Sequence, residues 1–115
     1  MQPASVEPWI PSEPDVMEIE GRLDGHTATT VEEDVRLCIE SGARRMVLDC
    51  SNLFYISGAG LRTVLTLARA MQIARGRFAV CDLQPQVEEM FAASGLTAVI
   101  PVYGSRNDAI AAFAI

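Results

Sequence analysis

The sequence is poor in basic residues, in histidine and in cysteine, and each shortage argues against a class of function. Its 115 residues carry a net charge of −6, which disfavours nucleic acid as a partner because phosphate backbones select basic surfaces. One histidine, His26, and three widely spaced cysteines form neither a metal-ligand pattern nor a disulfide framework. We therefore predict a protein without a metal or other cofactor, with reduced cysteines in its core.

Long apolar runs are also missing. The longest uncharged stretch, residues 90–105, is interrupted by Ser94, Gly95 and Pro101 and is too short to cross a bilayer. The N-terminus has neither the basic start nor the apolar segment of a signal peptide. These features predict a cytoplasmic protein that does not insert into a membrane.

The chain is predicted to be one domain preceded by a proline-rich arm. Residues 1–15 contain Pro3, Pro8, Pro11 and Pro14, and proline neither continues a helix nor donates in a sheet. We predict an extended arm or edge segment there, held to the domain by Trp9 and Ile10. Residues 16–115 form the domain, and half of all residues are apolar, enough for a full core.

Strand and helix patterns alternate along the domain. Four segments have the pattern of strands: residues 16–20, 46–50, 78–81 and 98–102. Four have the signals of helices: a capping box at Thr30 with a stop at Gly42, a helix from Ser57 to Gly76, one from Pro85 to Gly95, and one capped by Ser105. This alternation predicts a two- or three-layer α/β domain with a partly parallel sheet and about four flanking helices.

The turn Ser57–Gly60 connects a predicted strand to a predicted helix. Small residues at such a corner leave backbone N–H groups free at the positive end of the helix, where a phosphate or a partner surface can lie. A simpler interpretation is that Ser57 only caps the helix and that Gly58 and Gly60 only serve the backbone. Arg62, taken alone, is interpreted as a solvated charge.

Catalytic chemistry is weakly supported. Ser57, His26 and Asp24 can be written as a triad, but the turn lacks the Gly-x-Ser-x-Gly elbow. The turn also begins like a dinucleotide fingerprint, yet Thr63 stands where the third glycine belongs, and no lysine follows as in a P-loop. We therefore predict no catalytic residues and a binding module rather than an enzyme. An enzyme that acts on a nucleotide is kept as a further hypothesis.

Residues 48–62 resemble the core motif of STAS domains, and most closely the form D-L-S-x-L-x-Y-I-S-S-A-G-L-R of bacterial anti-sigma factor antagonists. Gly21–Asp24 resembles the G-x-L-D motif of that family, residues 76–80 its G-G-x-L-x-L motif, and residues 87–100 its V-x-x-x-L-x-x-x-G-L segment. The four motifs follow in the family's order over residues 16–113. On this resemblance the chain is identified as a member of the STAS family.

The resemblance implies a mixed sheet flanked by helices and a function in partner switching. The unphosphorylated antagonist binds an anti-sigma factor, usually a serine protein kinase, and so frees the sigma factor. Phosphorylation of a serine at the start of the second helix breaks the complex, because about −1.5 to −2 charges arise inside the interface. A phosphatase reverses the switch and is a further implied partner.

One position departs from the family pattern. The second serine of the S-S-A-G motif is the phosphoacceptor, and Gly58 stands in its place after Ser57. Three interpretations stay open: the protein binds its partner without being switched off, Ser57 has become the acceptor, or the domain is a docking part of a larger complex. An alternative of another class is a STAS accessory subunit on the ATPase of a lipid or anion transport system.

We predict that the protein binds its partner through one surface. This surface should comprise Asp24, Gly25, His26 and Thr27 of the first loop, Ser57, Gly58, Ala59 and Gly60 of the turn, and the exposed helix face around Arg62 and Thr63. The two segments follow neighbouring strands and should meet at one edge of the sheet. The apolar tail, residues 109–115, either packs internally or pairs two chains into a homodimer.

Overall fold

Strands and helices alternate through the whole domain in the computed structural model, which describes residues 14–113. The strands are β1 (Asp15–Leu23), β2 (Arg45–Ile56), β3 (Arg77–Cys81) and β4 (Val102–Tyr103). The helices are α1 (Ala28–Glu40), α2 (Gly58–Ile73), α3 (Pro85–Ser94) and α4 (Arg106–Ala112), with a short 3-10 turn at Leu96–Ala98. Most of the predicted arm, with Trp9 and Ile10, lies outside the described residues.

The four strands lie side by side in chain order, and all their pairings are parallel. The α/β class and the four helices are therefore confirmed. The mixed sheet that the family resemblance implied is not found within residues 14–113, because no antiparallel pairing occurs among the described strands.

Two apolar layers cover the two faces of the sheet. The larger contains side chains of α1, α2 and α3, including Val35, Leu67 and Phe91, all at most 2% exposed. The smaller lies under α4, where Ala109 and Phe113 pack against the other side of β2 and β3. The domain is thus three-layered, and the end of the C-terminal tail that is described packs inside it.

Strand β2 is much longer than its apolar core. The pairing with β1 shifts register between Glu18 and Glu20 and again between Gly21 and Arg22, because β2 carries an extra residue at each point. These irregularities break the regular alternation of side chains between the two faces of the sheet. For this reason the strand predicted from the sequence ended at residue 50, whereas β2 continues to Ile56.

Two other predicted boundaries are wrong. Helix α1 begins at Ala28 rather than after a capping box at Thr30, because hydrogen bonds around Asp24 and Thr27 already form the turn that leads into it. Of the predicted strand at residues 98–102, only Val102 lies in a strand, β4, because buried Leu96 begins a 3-10 turn after the left-handed Gly95. The predictions that Pro85 lies in the first turn of α3, that Gly95 ends that helix and that Ser105 caps α4 are confirmed.

Candidate functional site

The first loop and the Ser57 turn meet at the carboxyl ends of β1 and β2. These strands are parallel neighbours, and Leu23 pairs with Ile56 at their ends. The backbone N–H of Ser57 donates to the Leu23 carbonyl oxygen at 3.0 Å. The juxtaposition predicted from the order of the elements is therefore present.

Ser57 caps helix α2. Its backbone is extended, and its Oγ accepts a hydrogen bond from the Gly60 N–H at 3.1 Å. A serine in this position contributes about 1 kcal/mol to stability because it satisfies an N–H group that the helix leaves free. The capping interpretation of Ser57 is therefore confirmed.

The two glycines of the turn have opposite environments. A Cβ atom at buried Gly60 would overlap the Leu23 carbonyl oxygen and lie 2.7 Å from Ile56 Cγ1, so only glycine fits where α2 contacts β1. A Cβ atom at exposed Gly58 would have only Arg62 Nη1 within 4 Å, at 3.9 Å, and the Gly58 φ angle lies outside the left-handed region. The backbone at position 58 therefore accepts a serine, and nothing in the packing requires a glycine there.

The first loop is held by side-chain hydrogen bonds. Asp24 Oδ1 accepts from the backbone N–H groups of His26 at 2.9 Å and Thr27 at 3.2 Å. The Thr27 hydroxyl accepts from the Asp24 N–H at 2.9 Å and donates to the Arg22 carbonyl at 3.0 Å. The hydrogen bond from His26 is the main cause that lowers the pKa of Asp24, with Thr27 and Arg22 adding to it. The loop therefore presents exposed Gly25 and His26 on a fixed backbone.

Two residues of the predicted surface are not available to a partner. Thr63 is only 3% exposed, and its hydroxyl lies 3.1 Å from the Ala59 carbonyl and 3.3 Å from Glu32 Oε2, so it links α2 to α1. Gly60 is buried against β1. Their inclusion in an accessible surface was wrong, because Gly60 packs against the end of β1 and Thr63 faces α1. Arg62 is exposed as predicted.

The sequence interpretation missed two aromatic residues beside the turn. Phe54 and Tyr55 are 56% and 44% exposed, and the Arg22 guanidinium lies 4.2 Å from the centre of the Tyr55 ring. Phe54 is the extra residue of the second register shift in β2, and Tyr55 follows it, so successive side chains there do not alternate regularly between the faces. Two adjacent aromatic residues in a strand that ends at a turn are the signal that was available.

Polar side chains between α4 and the sheet form an ion network. Arg106 donates to Asp49 Oδ2 at 2.6 Å and also binds Glu18. Burial opposes ionisation of Asp49, but the hydrogen bonds from the Ser51 N–H and Arg106 outweigh it and lower the pKa of Asp49. Asp49 also lies close to Cys81 and Asp82. Burial raises the pKa of the Cys81 thiol above its ordinary range. Because Arg106 already binds the Asp49 carboxylate, these two residues form a structural ion pair.

Ser57, His26 and Asp24, the residues of the possible triad, do not form a catalytic arrangement. The Ser57 hydroxyl caps α2, and the Asp24 carboxylate binds the backbone of its own loop. Within residues 14–113, no hydrogen bond connects the His26 ring to either of them.

No helix in this part of the chain has the length and apolar character needed to span a membrane.

Comparison with known proteins gives consistent matches. The model of the STAS domain family matches residues 10–109. A protein of Bordetella bronchiseptica named as an anti-sigma factor antagonist, BtrV, is 39% identical over 95 residues, which cover 83% of this chain and 82% of that protein.

Two solved structures have the same fold. A Mycobacterium paratuberculosis anti-sigma factor antagonist is similar with a TM-score of 0.76 at 23% identity, over 84% of this chain and 82% of that one. The STAS domain of a SulP transporter from Vibrio cholerae has a TM-score of 0.74 at 17% identity, over 91% and 84% of the two chains. At these identities the likeness shows the fold alone. The family model and the Bordetella relative together show that the chain belongs to the STAS domain family.

Proposed function

We propose that the protein is a cytoplasmic, non-enzymatic regulator like the anti-sigma factor antagonists, and that it binds an anti-sigma factor or serine protein kinase. The contact is made by the turn surface, which we define as residues 24–27, residues 57–59 and Arg62. The 39% identity to a protein named as such an antagonist supports this class of function.

The environment of Gly58 is the observation that carries the proposal. Gly58 is exposed at the first position of α2, with room for a side chain and no left-handed backbone. The fold therefore does not explain why a glycine replaces the serine of the family motif. Since glycine has no hydroxyl, a kinase cannot phosphorylate this position. We infer that the turn surface is a fixed contact rather than a phosphorylation switch.

Ser57 is a poor substitute acceptor. Its Oγ accepts a hydrogen bond from the Gly60 N–H and is held at the start of α2. Phosphoryl transfer to this oxygen would require the cap to open and the side chain to turn toward the kinase. The cost of losing the cap, about 1 kcal/mol, opposes that movement.

A binding measurement with Gly58→Asp tests the proposed contact. The partner is first captured from the native cell and identified, and its affinity is then measured by calorimetry. A carboxylate at position 58 places a charge where the family carries its phosphate, so we expect at least a tenfold weaker complex, or about 1.4 kcal/mol. Gly104→Asp is the matched control, since Gly104 is exposed, has open space around it and follows β4, two strands away from β2.

The outcomes separate the possible functions. Unchanged affinity of Gly58→Asp would contradict the turn surface as the contact. Capture of a transport ATPase in place of a kinase or anti-sigma factor would favour the accessory-subunit alternative.

A further inference from the structure

An open apolar groove runs between helices α1 and α2. Its volume is about 450 Å³. Its apolar lining consists of Val35, Ile39, Leu67, Ala70, Ile73 and Ala74. Ile73 is 84% exposed, the highest value among the large exposed apolar side chains of the described residues. Burial of an exposed isoleucine side chain is favourable, so a partner that covers Ile73 gains affinity.

The charged rim of the groove is acidic. Glu32, Arg36 and Glu40 line it along α1. Arg36 binds both Glu33 and Glu40, and these two carboxylates raise the pKa of its guanidinium. The three charged residues that line the groove, Glu32, Arg36 and Glu40, carry a net charge of −1, and Arg36 is already paired with two carboxylates. A helix that lies in the groove is therefore favoured if basic side chains flank its apolar face on the side of α1.

The groove begins one helical turn beyond Arg62 of the turn surface, since the hydroxyl of Thr66, which lines the groove, donates to the Arg62 carbonyl oxygen at 2.9 Å. Glu32 lines the groove and also contacts the Thr63 hydroxyl, in the second turn of α2. On the side of α2, the residues that line the groove begin at Thr66 and end at Ala74, the residue that follows the helix. At 1.5 Å of rise per residue, these positions lie about 12–24 Å along α2 from Gly58. A protein seated on the turn surface can therefore reach the groove with an adjoining segment.

We propose that the groove binds an amphipathic helix of the protein partner, with apolar side chains at three- and four-residue spacing and a basic flank toward α1. This inference rests on the proposed function, because it names the element of the partner that continues from the turn surface. It adds a contact that phosphorylation of the turn would not touch.

Ile73→Ser tests the groove in the complex with the captured partner. Ile73 is largely exposed, so the variant should remain folded, which its circular dichroism and urea midpoint will show. We expect at least a tenfold loss of affinity, because the burial of one isoleucine side chain is removed. Val99→Ser is the control, since Val99 is also an exposed β-branched residue, at 66%, and does not line the groove. Unchanged affinity of Ile73→Ser beside a loss for Gly58→Asp would overturn the groove alone.

A second measurement needs no natural partner. Two synthetic helical peptides with the same leucine face, one flanked by arginine and one by glutamate, are titrated into the ¹⁵N-labelled protein. The arginine peptide should shift the amide signals of residues 66–74 and bind at least tenfold more tightly than the glutamate peptide, and Ile73→Ser should abolish the shifts. Equal binding of the two peptides, or shifts elsewhere, would overturn the proposal. So would a homodimer in sedimentation that Ile73→Ser dissociates, because a second copy would then occupy the groove.

Discussion

Replacement of Gly60 by alanine is expected to destabilise the protein more than any other single-methyl change in the turn. The added Cβ atom would overlap the Leu23 carbonyl oxygen and approach Ile56 Cγ1 to 2.7 Å. The carbonyl belongs to the backbone at the end of β1 and cannot move away as a flexible side chain can. Helix α2 must therefore shift away from β1, which stretches the 3.0 Å hydrogen bond between the Ser57 N–H and the Leu23 carbonyl.

The size of the effect follows from these two contacts. Overpacking of a filled site costs about 1–3 kcal/mol, and loss of a hydrogen bond costs about 0.5–1.5 kcal/mol more. We expect the free energy of unfolding to fall by about 2–4 kcal/mol for Gly60→Ala. The same methyl group at Gly58 meets no atom closer than 3.9 Å. Gly58→Ala should therefore be neutral or stabilising by up to about 1 kcal/mol, because alanine favours the helix.

Urea unfolding, followed by circular dichroism, measures both variants. With a slope near 2 kcal/mol per M, Gly60→Ala should lower the midpoint by roughly 1–2 M, whereas Gly58→Ala should not lower it. Equal stability of Gly60→Ala and the native chain would refute the close contact between α2 and β1. Without that contact, the first loop and the turn would not be held together as one surface.

Two further predictions concern the cap and the ion network. Ser57→Ala should lower the free energy of unfolding by about 1 kcal/mol, because the Gly60 N–H loses its acceptor. Ser57→Asp should retain most of this stability, because a carboxylate can also accept the bond. Equal losses of stability for the two variants in urea unfolding would argue against the cap. The pKa of Asp49 lies below its ordinary value near 3.8 in the folded protein, so its contribution to stability is complete above that pH and is lost as the pH falls further. Asp49→Asn should therefore show a weaker fall in urea midpoint between pH 4 and pH 2 than the native chain, and an unchanged fall would contradict the role of the Arg106 ion pair.

The parts of the fold that could be predicted are those governed by local chemistry. Pro85 opens α3, Gly95 ends it in a left-handed conformation, and Ser57 and Ser105 cap their helices. The proximity of the first loop and the turn was also predictable, since both follow neighbouring parallel strands.

The parts that could not be predicted depend on contacts between distant segments. The length of β2 depends on register shifts against β1, which its own residues do not reveal. The burial of Gly60 and Thr63 depends on how closely α2 approaches Leu23 and Glu32. The helical pattern of α2 alone leaves the orientation of its first turn undetermined, and two residues of the predicted surface were misplaced for that reason.

If the turn surface is a contact without the usual phosphorylation switch, the intact mass of the protein does not change in the presence of the partner kinase. The native chain and Gly58→Ser are each incubated with the partner kinase and ATP, and their intact masses are measured by mass spectrometry. We expect an unchanged mass for the native chain and one added phosphate, on position 58, for Gly58→Ser, since that site has room for a side chain. A phosphate mapped to Ser57 in the native chain would contradict this expectation.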